Sequence, residues 1–395
     1  MIILSIETSC DETAVAIVKF NRGKVEVLSN IISSQANMHS KFGGVVPSLA
    51  SRMHLKNMAP VLKRALRQAE KNCRRDADLS HLPRTRDKSR FYERIDYIAV
   101  TNGPGLIPAL MIGVQTAKTL SYTLKKPLVG VHHIEGHIYA NWLRSIYLNS
   151  KSNSLAGGQN YKLWKPKFPI LCLTVSGGHT QIVLMKKDLN YRIIGETVDD
   201  AVGEAFDKVA KILGLDYPGG PLIEKMAKKG NKDKFKFTRP MINSKDHNFS
   251  FSGLKTAVLY NWKLENKKEK CRIGEKILKQ VQNDRLQYKA DIAASFQQAV
   301  IDVLISKTIK VAKQYKVKNV ILGGGVSANK ELQKQLRKTI NKKIPNTEYQ
   351  ILNTKLSTDN ALMIAIAGYY RIKNNKGIGD WKSVKADANL RLKLF

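Results

Sequence analysis

The chain opens twice in the same way, and this repetition limits the folds that it can adopt. Three apolar segments with short polar turns between them predict three consecutive strands, at residues 2–6, 14–20 and 24–30. After a polar stretch the same pattern returns, at residues 170–175, 181–185 and 191–194. Such a repeat indicates an internal duplication, so we expect two related α/β domains with a cleft between them.

Helical and strand periodicity continues in both halves. In the first half it predicts a helix, a strand, a helix and a strand, at 52–70, 97–101, 106–120 and 128–131. In the second half it predicts a helix, a strand and two helices, at 290–314, 319–322, 330–339 and 358–371.

These elements suggest where the domains begin and end. We predict a first domain at 1–150, completed by the helices of 358–395, and a second domain at 151–357 that opens on a polar linker at 149–167. Residues 73–94 and 265–289 are strongly charged and interrupt this plan, so we expect surface insertions there. A solvated extension of a helix is the alternative for 265–289.

Composition restricts the partners and the compartment. Sixty-seven Lys and Arg residues against 32 Asp and Glu give a net charge of +35, which favours a polyanionic partner such as nucleic acid. A general bias of the genome towards Lys, Ile and Asn explains the charge equally well. The sequence lacks an apolar run long enough to span a membrane, a basic leader and a C-x-x-C pair. We therefore expect a cytoplasmic protein without a membrane partner.

Two histidines are the first candidates for chemistry. His133 and His137 lie four residues apart on a predicted helix, so both occupy one face with Cβ atoms about 5–6 Å apart. Two imidazoles at this spacing can hold one metal ion and leave other positions open. A polar helix start that happens to contain histidines is the alternative. The glutamate stands two residues after His133, unlike that of the H-E-x-x-H zinc proteases.

Asp359 is the candidate for a third, oxygen ligand. Ser357 or Thr358 is expected to cap the following helix, which would leave Asp359 in its first turn. A carboxylate there either binds the metal or complements the helix dipole.

Three small polar or glycine-rich turns follow predicted strands, at 6–13, 175–180 and 322–329. Glycines let the backbone approach an anion closely, hydroxyl groups donate hydrogen bonds, and Asp11 can contact a metal or a polar substrate group. Together they predict a nucleotide cleft at the strand ends. The sequence contains neither a P-loop motif nor a G-x-G-x-x-G after its first strand, which argues against P-loop enzymes and dinucleotide dehydrogenases.

Taken together, these motifs resemble the tRNA N6-adenosine threonylcarbamoyltransferase family, once described as O-sialoglycoprotein endopeptidases. The similar segments are collinear over nearly the whole chain: 6–13, 43–47 with 50–52, 100–113, 131–137, 175–181, 199–208 with 217–221, 249–256, 291–297, 323–329 and 357–360. The resemblance implies the actin-like, sugar-kinase-like and Hsp70-like (ASKHA) ATPase fold. Ser48 and Met53 depart from the pattern of the family.

The resemblance also implies a reaction and its site. Threonylcarbamoyl passes from threonylcarbamoyl-adenylate to N6 of adenosine 37, in tRNAs that read codons beginning with A, and AMP is released. His133, His137 and Asp359 would hold one divalent metal, usually iron, with zinc as an alternative. The adenylate, or ATP or AMP, would be bound by Val175, Ser176, Gly177, Gly178, His179, Asp207, Gly220 and Asn329, with Glu224 as a ribose contact and Asp11 as a polar or basic group near the reacting centre.

The implied partners are tRNA, a paralogue of the same fold that lacks the metal motif, and a small P-loop ATPase, although in some lineages a single subunit suffices. Arg52, Lys255 and the lysines of 228–236 are candidates for contact with the tRNA backbone. A metallopeptidase, a sugar kinase or non-catalytic ATPase of the same fold, and a pure nucleic-acid-binding module are the competing hypotheses. His132 and Glu135 receive no role.

Overall fold

The computed structural model describes residues 1–73, 91–145, 159–272, 278–350 and 356–392. The strands are β1 Ile2–Glu7, β2 Glu12–Asn21, β3 Lys24–Ser34, β4 Tyr97–Gly103, β5 Leu128–His132, β6 Leu143–Ser145, β7 Gln159–Leu163, β8 Ile170–Val175, β9 Thr180–Lys187, β10 Asn190–Glu196, β11 Asn319–Gly323, β12 Glu348–Gln350 and β13 Ile378–Gly379. The α-helices are α1 Ala36–His39, α2 Pro47–Cys73, α3 Ile107–Leu124, α4 His133–Ala140, α5 Val202–Ile212, α6 Gly219–Ala227, α7 Ser252–Arg272, α8 Leu278–Gln314, α9 Lys330–Lys343 and α10 Ala361–Lys373.

The strands form two sheets whose central order is the same. In the first sheet β3, β2, β1, β4 and β5 lie side by side, and in the second β10, β9, β8, β11 and β12 do so. Each sheet begins with an antiparallel meander, and its fourth strand runs parallel to its first. The first sheet is extended by β13 at one edge and by β7 and β6 at the other. This repeated order confirms the predicted α/β fold of the ASKHA type.

Burial explains why the central strands of both sheets could be predicted from the sequence. All residues of β1 and β8 are buried, as is typical of a central strand that is covered on both faces. Helices α4 and α10 lie in one hydrophobic cluster together with residues of both sheets, including Val131 and Ile321. All eight residues of α4 are buried. The predicted histidine helix therefore lies in the interior, between the two sheets.

The predicted linker at 149–167 needs a correction. Within it, β7 pairs antiparallel with β3 from Lys24↔Lys162 to Val27↔Gln159, so residues beyond 150 take part in the first sheet. Only Tyr161 among the five residues of β7 is buried, which explains why its sequence looks like a polar loop. The division of the chain into domains at 150 and 357 stays a prediction.

The cap of α10 also differs from the prediction. Asn360 is the N-cap residue, and its side chain accepts a hydrogen bond from Met363 N–H at 3.0 Å. Neither Ser357 nor Thr358 caps the helix. Asparagine is as good a cap as serine and more favourable than threonine, and here it stands next to the first helical turn. Asp359 consequently precedes the cap and lies in the loop instead of the first turn.

Four helices were not predicted: α1, α5, α6 and α7. The glycine pair Gly219 and Gly220 begins α6 after Pro218. Of the two predicted insertions, residues 74–90 lie outside the described part of the chain. Residues 265–272 and 278–289 belong to the helices α7 and α8, and 273–277 again lie outside. That either region is an insertion stays a prediction.

Residues 283–314 of α8 are long and apolar enough to cross a membrane by composition alone, but 83% of the apolar window is buried inside the protein. A helix buried to this extent is explained as a core helix. Its residues Ile292, Phe296 and Leu304 belong to the hydrophobic cluster of the second sheet.

Candidate metal centre and nucleotide cleft

The chain enters the candidate metal centre from β5. His132 ends this strand in extended conformation and caps α4, since its side chain accepts a hydrogen bond from Ile134 N–H. His133 and His137 follow on one face of the helix with ring centroids 4.6 Å apart. His133 is 6% exposed and His137 is completely buried, so the pair is shielded from bulk water.

Asp359 completes the cluster. Its Oδ1 atom lies 3.5 Å from His133 Nε2 and 3.2 Å from His137 Nε2. One ligand atom from each of the three residues lies within 4.8 Å of the others. The close packing of α4 on α10 produces this arrangement, because a Cβ added at Gly136 would lie only 2.9 Å from Ile364 Cδ1. The beginning of α10 is thereby held beside the histidines.

A second carboxylate supports His133 from the end of β1. Glu7 Oε2 lies 3.3 Å and Ser9 Oγ 3.1 Å from His133 Nδ1, and Glu7 Oε1 accepts a hydrogen bond from Ser9 N–H. A carboxylate behind a histidine is the usual way in which proteins orient a metal ligand. Our sequence reasoning missed Glu7. The available signal was a charged residue at the end of an otherwise apolar central strand.

Charge at the cluster favours a cation. Burial opposes a charged imidazole, but the carboxylates of Asp359 and Glu7 outweigh it and raise the pKa of His133 to about 9. Burial likewise opposes the charge of Asp359, yet His133 and His137 bring its pKa down to about 2. Among the described residues His137 Nδ1 has no hydrogen-bond partner, while its Nε2 faces the Asp359 carboxylate at 3.2 Å. Two imidazoles and a carboxylate with an unsatisfied, buried nitrogen fit a divalent metal ion such as Fe²⁺ or Zn²⁺.

A cleft of about 260 Å³ adjoins this cluster. Loops of both halves line it, and the candidate residues among them are Asp11, Gly177, Asp207, Gly220, Glu224 and Asn329. Thr358, next to Asp359, also lines the cleft and connects it to the metal cluster. Glu12 and Tyr217 are lining residues that sequence reasoning did not single out.

Residues of the predicted turn at 175–180 face two different cavities. Ser176 closes it, because its N–H donates to His179 C=O at 2.8 Å, and Gly177 faces the cleft. His179 instead lines a neighbouring cavity, and burial together with His133 and His137 lowers its pKa to about 4. The side chain of Val175 is completely buried in the hydrophobic core, and a role of this residue in binding the adenylate stays a prediction. Gly178 is not among the residues that line the cleft.

Several cleft residues also hold the local structure. Asn329 caps α9 by accepting from Leu332 N–H, and its amide donates to Gln297. Asp207 accepts from Gly219 N–H at 2.7 Å and so holds the beginning of α6. Burial raises the pKa of Asp207 to about 6. Glu224 accepts from Lys330 N–H, which joins α6 to α9 across the cleft wall.

Comparisons with known proteins show what the chain is similar to. A sequence model described as tRNA N6-adenosine threonylcarbamoyltransferase matches residues 26–78 and 91–366. The protein of that name from Thermosipho africanus is 45% identical over 392 residues, 99% of this chain and 100% of its own length. Its namesake from Listeria monocytogenes serotype 4b is 44% identical over 378 residues, 96% of this chain and 93% of its own length.

A solved structure, HypF from T. kodakarensis, superposes with a TM-score of 0.54 at 14% identity, over 97% of this chain and 49% of that chain. At this level of identity the likeness concerns the fold alone. The family match and the relatives, which extend over nearly the full length, go further. The chain belongs to the tRNA N6-adenosine threonylcarbamoyltransferase family of enzymes.

Proposed function

We propose that the protein transfers the threonylcarbamoyl group from threonylcarbamoyl-adenylate to N6 of adenosine 37 in tRNAs that read codons beginning with A. The N6 amine attacks the carbamoyl carbon, a C–N bond forms, the bond from that carbon to the phosphate oxygen breaks, and AMP leaves as N6 loses a proton. The observation that carries this proposal is the convergence of His133, His137 and Asp359 beside a cleft lined by both halves of a family fold.

The exocyclic amine of adenine is a weak nucleophile, so the carbonyl must be polarised and the leaving group stabilised. A divalent metal held by His133, His137 and Asp359, with Fe²⁺ as the expected ion, would supply Lewis-acid chemistry at the carbonyl. The turn at Gly177 and the helix start at Gly220 would approach the adenylate closely, and Glu224 would contact its ribose. Asp11 is 7% exposed in the cleft wall. It would act near the reacting carbon, either as a base that accepts a proton or as an acceptor of a hydrogen bond from the substrate.

The surface beside the cleft supports tRNA as the acceptor. The loop that follows α6 presents the exposed side chains of Lys228, Lys229, Lys232, Lys234 and Lys236. Its backbone is held to α8, since Asn231 N–H donates to Asp291 and Phe235 N–H donates to Ser295. A fixed row of lysines suits a phosphate backbone. Arg52 is exposed and Lys255 is half-buried, so Arg52 is the better of the two remaining candidates.

By the same resemblance, we expect a same-fold paralogue without the metal motif and a small P-loop ATPase as companions in the cytoplasm. Their need is tested by assaying the purified chain with threonylcarbamoyl-adenylate alone and then with the two added proteins. The nucleoside content of the tRNA, measured by mass spectrometry, gives the answer in each case.

The central experiment is transfer to tRNA by purified protein. The wild type should convert adenosine 37 into its threonylcarbamoyl form and release AMP. His133→Ala with His137→Ala should abolish transfer, because both imidazole ligands are lost. His247→Ala is the matched control, since that histidine contacts Gln314, the last residue of α8, and not the metal cluster. Full activity of the double variant would contradict the metal assignment, and an inactive wild type supplied with its companions would contradict the proposed reaction.

The peptidase hypothesis loses its general base in this structure. Glu135 is the carboxylate of the histidine motif, yet both of its oxygens accept hydrogen bonds from Arg371 at 2.7 Å. Its side chain is 1% exposed. A carboxylate held in a buried bidentate pair is not available to activate a water molecule at His133 and His137.

A further inference from the structure

His132 connects the metal-binding helix to a distant part of the chain. Its Nδ1 atom accepts the hydrogen bond from Ile134 N–H at 3.1 Å, which is the capping bond of α4. Its Nε2 atom lies 3.0 Å from Leu390 C=O, an acceptor only. Because Nδ1 accepts and Nε2 must donate, the two contacts specify one neutral tautomer of the ring.

Leu390 belongs to residues 384–392, here called the strap. It crosses the end of β4, where Asp387 N–H donates to Asn102 C=O at 2.8 Å and Gly105 N–H donates to Ala388 C=O at 3.3 Å. The strap lies directly on Gly103, since an added Cβ there would be 2.0 Å from Asp387 C=O. The contact is therefore close enough to fix the path of the strap.

Both ends of the strap are anchored in hydrophobic cores. Val384 is 5% exposed and packs in the cluster beneath the first sheet, with Ile98 and Val100. Leu392 is 6% exposed and packs in the cluster between the sheets, which also contains Ile134 and Ile138 of α4. The carbonyl of Leu390 is thus held in place by contacts other than its bond to His132.

We propose that His132 is a positioning residue for the metal centre, through which the strap holds the beginning of α4 and keeps His133 and His137 directed at Asp359. Helix α4 has only eight residues, and its first residue is the candidate ligand His133. The N–H groups of its first turn have no acceptor within the helix, so the position of His133 depends strongly on the capping bond from Ile134 N–H to His132. Serine, threonine, aspartate and asparagine are the usual caps. Only a longer side chain with an acceptor and a donor on opposite sides can cap the helix and reach the strap.

This inference rests on the proposed metal binding, and substitutions separate its two parts. His132→Asn keeps a side-chain oxygen for the cap but is too short to reach Leu390. His132→Ala removes both contacts. Gly103→Ala displaces the strap without altering a residue of α4. Leu304→Ala is the control for general loss of stability, since Leu304 is completely buried in the core of the second sheet, in a different hydrophobic cluster from α4.

The experiment titrates each full-length variant with Co²⁺, and follows the visible absorption of the bound ion, which reports both affinity and coordination geometry. We expect His132→Ala to weaken Co²⁺ binding about 10- to 100-fold, the range for residues that orient metal ligands, and to change the spectrum. His132→Asn should bind more weakly than wild type but more tightly than His132→Ala. Adding Gly103→Ala to His132→Ala should cost little further affinity, because both changes remove one connection.

Wild-type affinity and spectrum in His132→Ala would overturn the inference, and so would an equal loss of affinity in Leu304→Ala. Failure of the metal assignment itself gives a different result. In that case His137→Ala would bind Co²⁺ as well as the wild type does, whatever the behaviour of the His132 variants.

Discussion

Glu7 is a buried carboxylate that contacts three groups. It is completely buried, accepts hydrogen bonds from Ser9 N–H and from the hydroxyl of Thr101, and faces His133 Nδ1. Burial alone would raise its pKa, but the charge and hydrogen bond of His133 lower it, so Glu7 carries a negative charge in the folded protein. That charge orients the imidazole from the side opposite to Asp359.

We therefore expect Glu7→Gln to weaken metal binding about 10- to 100-fold, because the substitution keeps the size of the side chain but removes its charge. Competition with a chromophoric chelator measures the affinity. Glu12→Gln is the matched control, since Glu12 lies at the other end of the same turn and bonds to Ser34. Equal metal affinities of Glu7→Gln and wild type would show that the charge of Glu7 is not needed to orient His133.

Asp207 gives a prediction about pH. Because burial raises its pKa to about 6, above the ordinary value of 3.8, folding favours the protonated form. Its contribution to stability is therefore present below about pH 4 and is lost as pH rises through 6. Between pH 4.5 and 7 the wild type should lose about 2 kcal/mol of unfolding free energy relative to Asp207→Asn, at about 1.4 kcal/mol for each pKa unit, because part of the loss has already occurred at pH 4.5. Urea unfolding at both pH values tests this, and parallel pH profiles would contradict it.

At the scale of the elements, the turn after β11 contains two neighbouring glycines, of which only one must be a glycine. Gly324 has φ of +86°, and an added Cβ would lie 2.4 Å from Val175 C=O. Gly325 has ordinary φ, and an added Cβ would meet no described atom within 4 Å. Only Gly324 is required by the close approach of β11 and β8.

Gly324→Ala should consequently lower the free energy of unfolding by at least about 1–3 kcal/mol, since the strained backbone and the contact with Val175 add. Gly325→Ala should change it by less than about 0.5 kcal/mol. Chemical denaturation of both variants measures the difference. Similar losses of unfolding free energy in Gly324→Ala and Gly325→Ala would contradict the prediction, because the contact with Val175 of β8 would then not account for the loss.

The elements that were predictable are those whose signal is local. The central strands and the spacing of His133 and His137 follow from periodicity within a few residues. The pairing of β7 with β3, the cap at Asn360 and the approach of Glu7 to His133 depend on neighbours far away in the chain. Asp359 was predicted as a ligand because it is a carboxylate near the start of a predicted helix. Its position before the cap residue Asn360, beside the two histidines, is visible only in the structure.

At the scale of the whole molecule, duplication explains where the site lies. Each half contributes loops at one end of its sheet, and α4 and α10 fill the space between the sheets. The ligands of one metal can therefore come from residues as distant in sequence as His137 and Asp359. The chain carries a net charge of +35, and the use of that charge depends on which lysines lie beside the cleft.

The lysine loop after α6 gives the test of that charge. Alanine at Lys229, Lys232 and Lys234 should weaken tRNA binding and reduce the slope of log Kd against log salt concentration by about 0.7–0.9 for each phosphate that is no longer neutralised. Lys228 is left intact because it lies 3.9 Å from Glu224 in the cleft wall. The matched control replaces Lys338, Lys342 and Lys343, which are exposed towards the far end of α9. Filter binding at several salt concentrations distinguishes the two sets: equal slopes for both variants would assign the charge to composition, whereas a reduced slope confined to the loop would place the tRNA backbone beside α6.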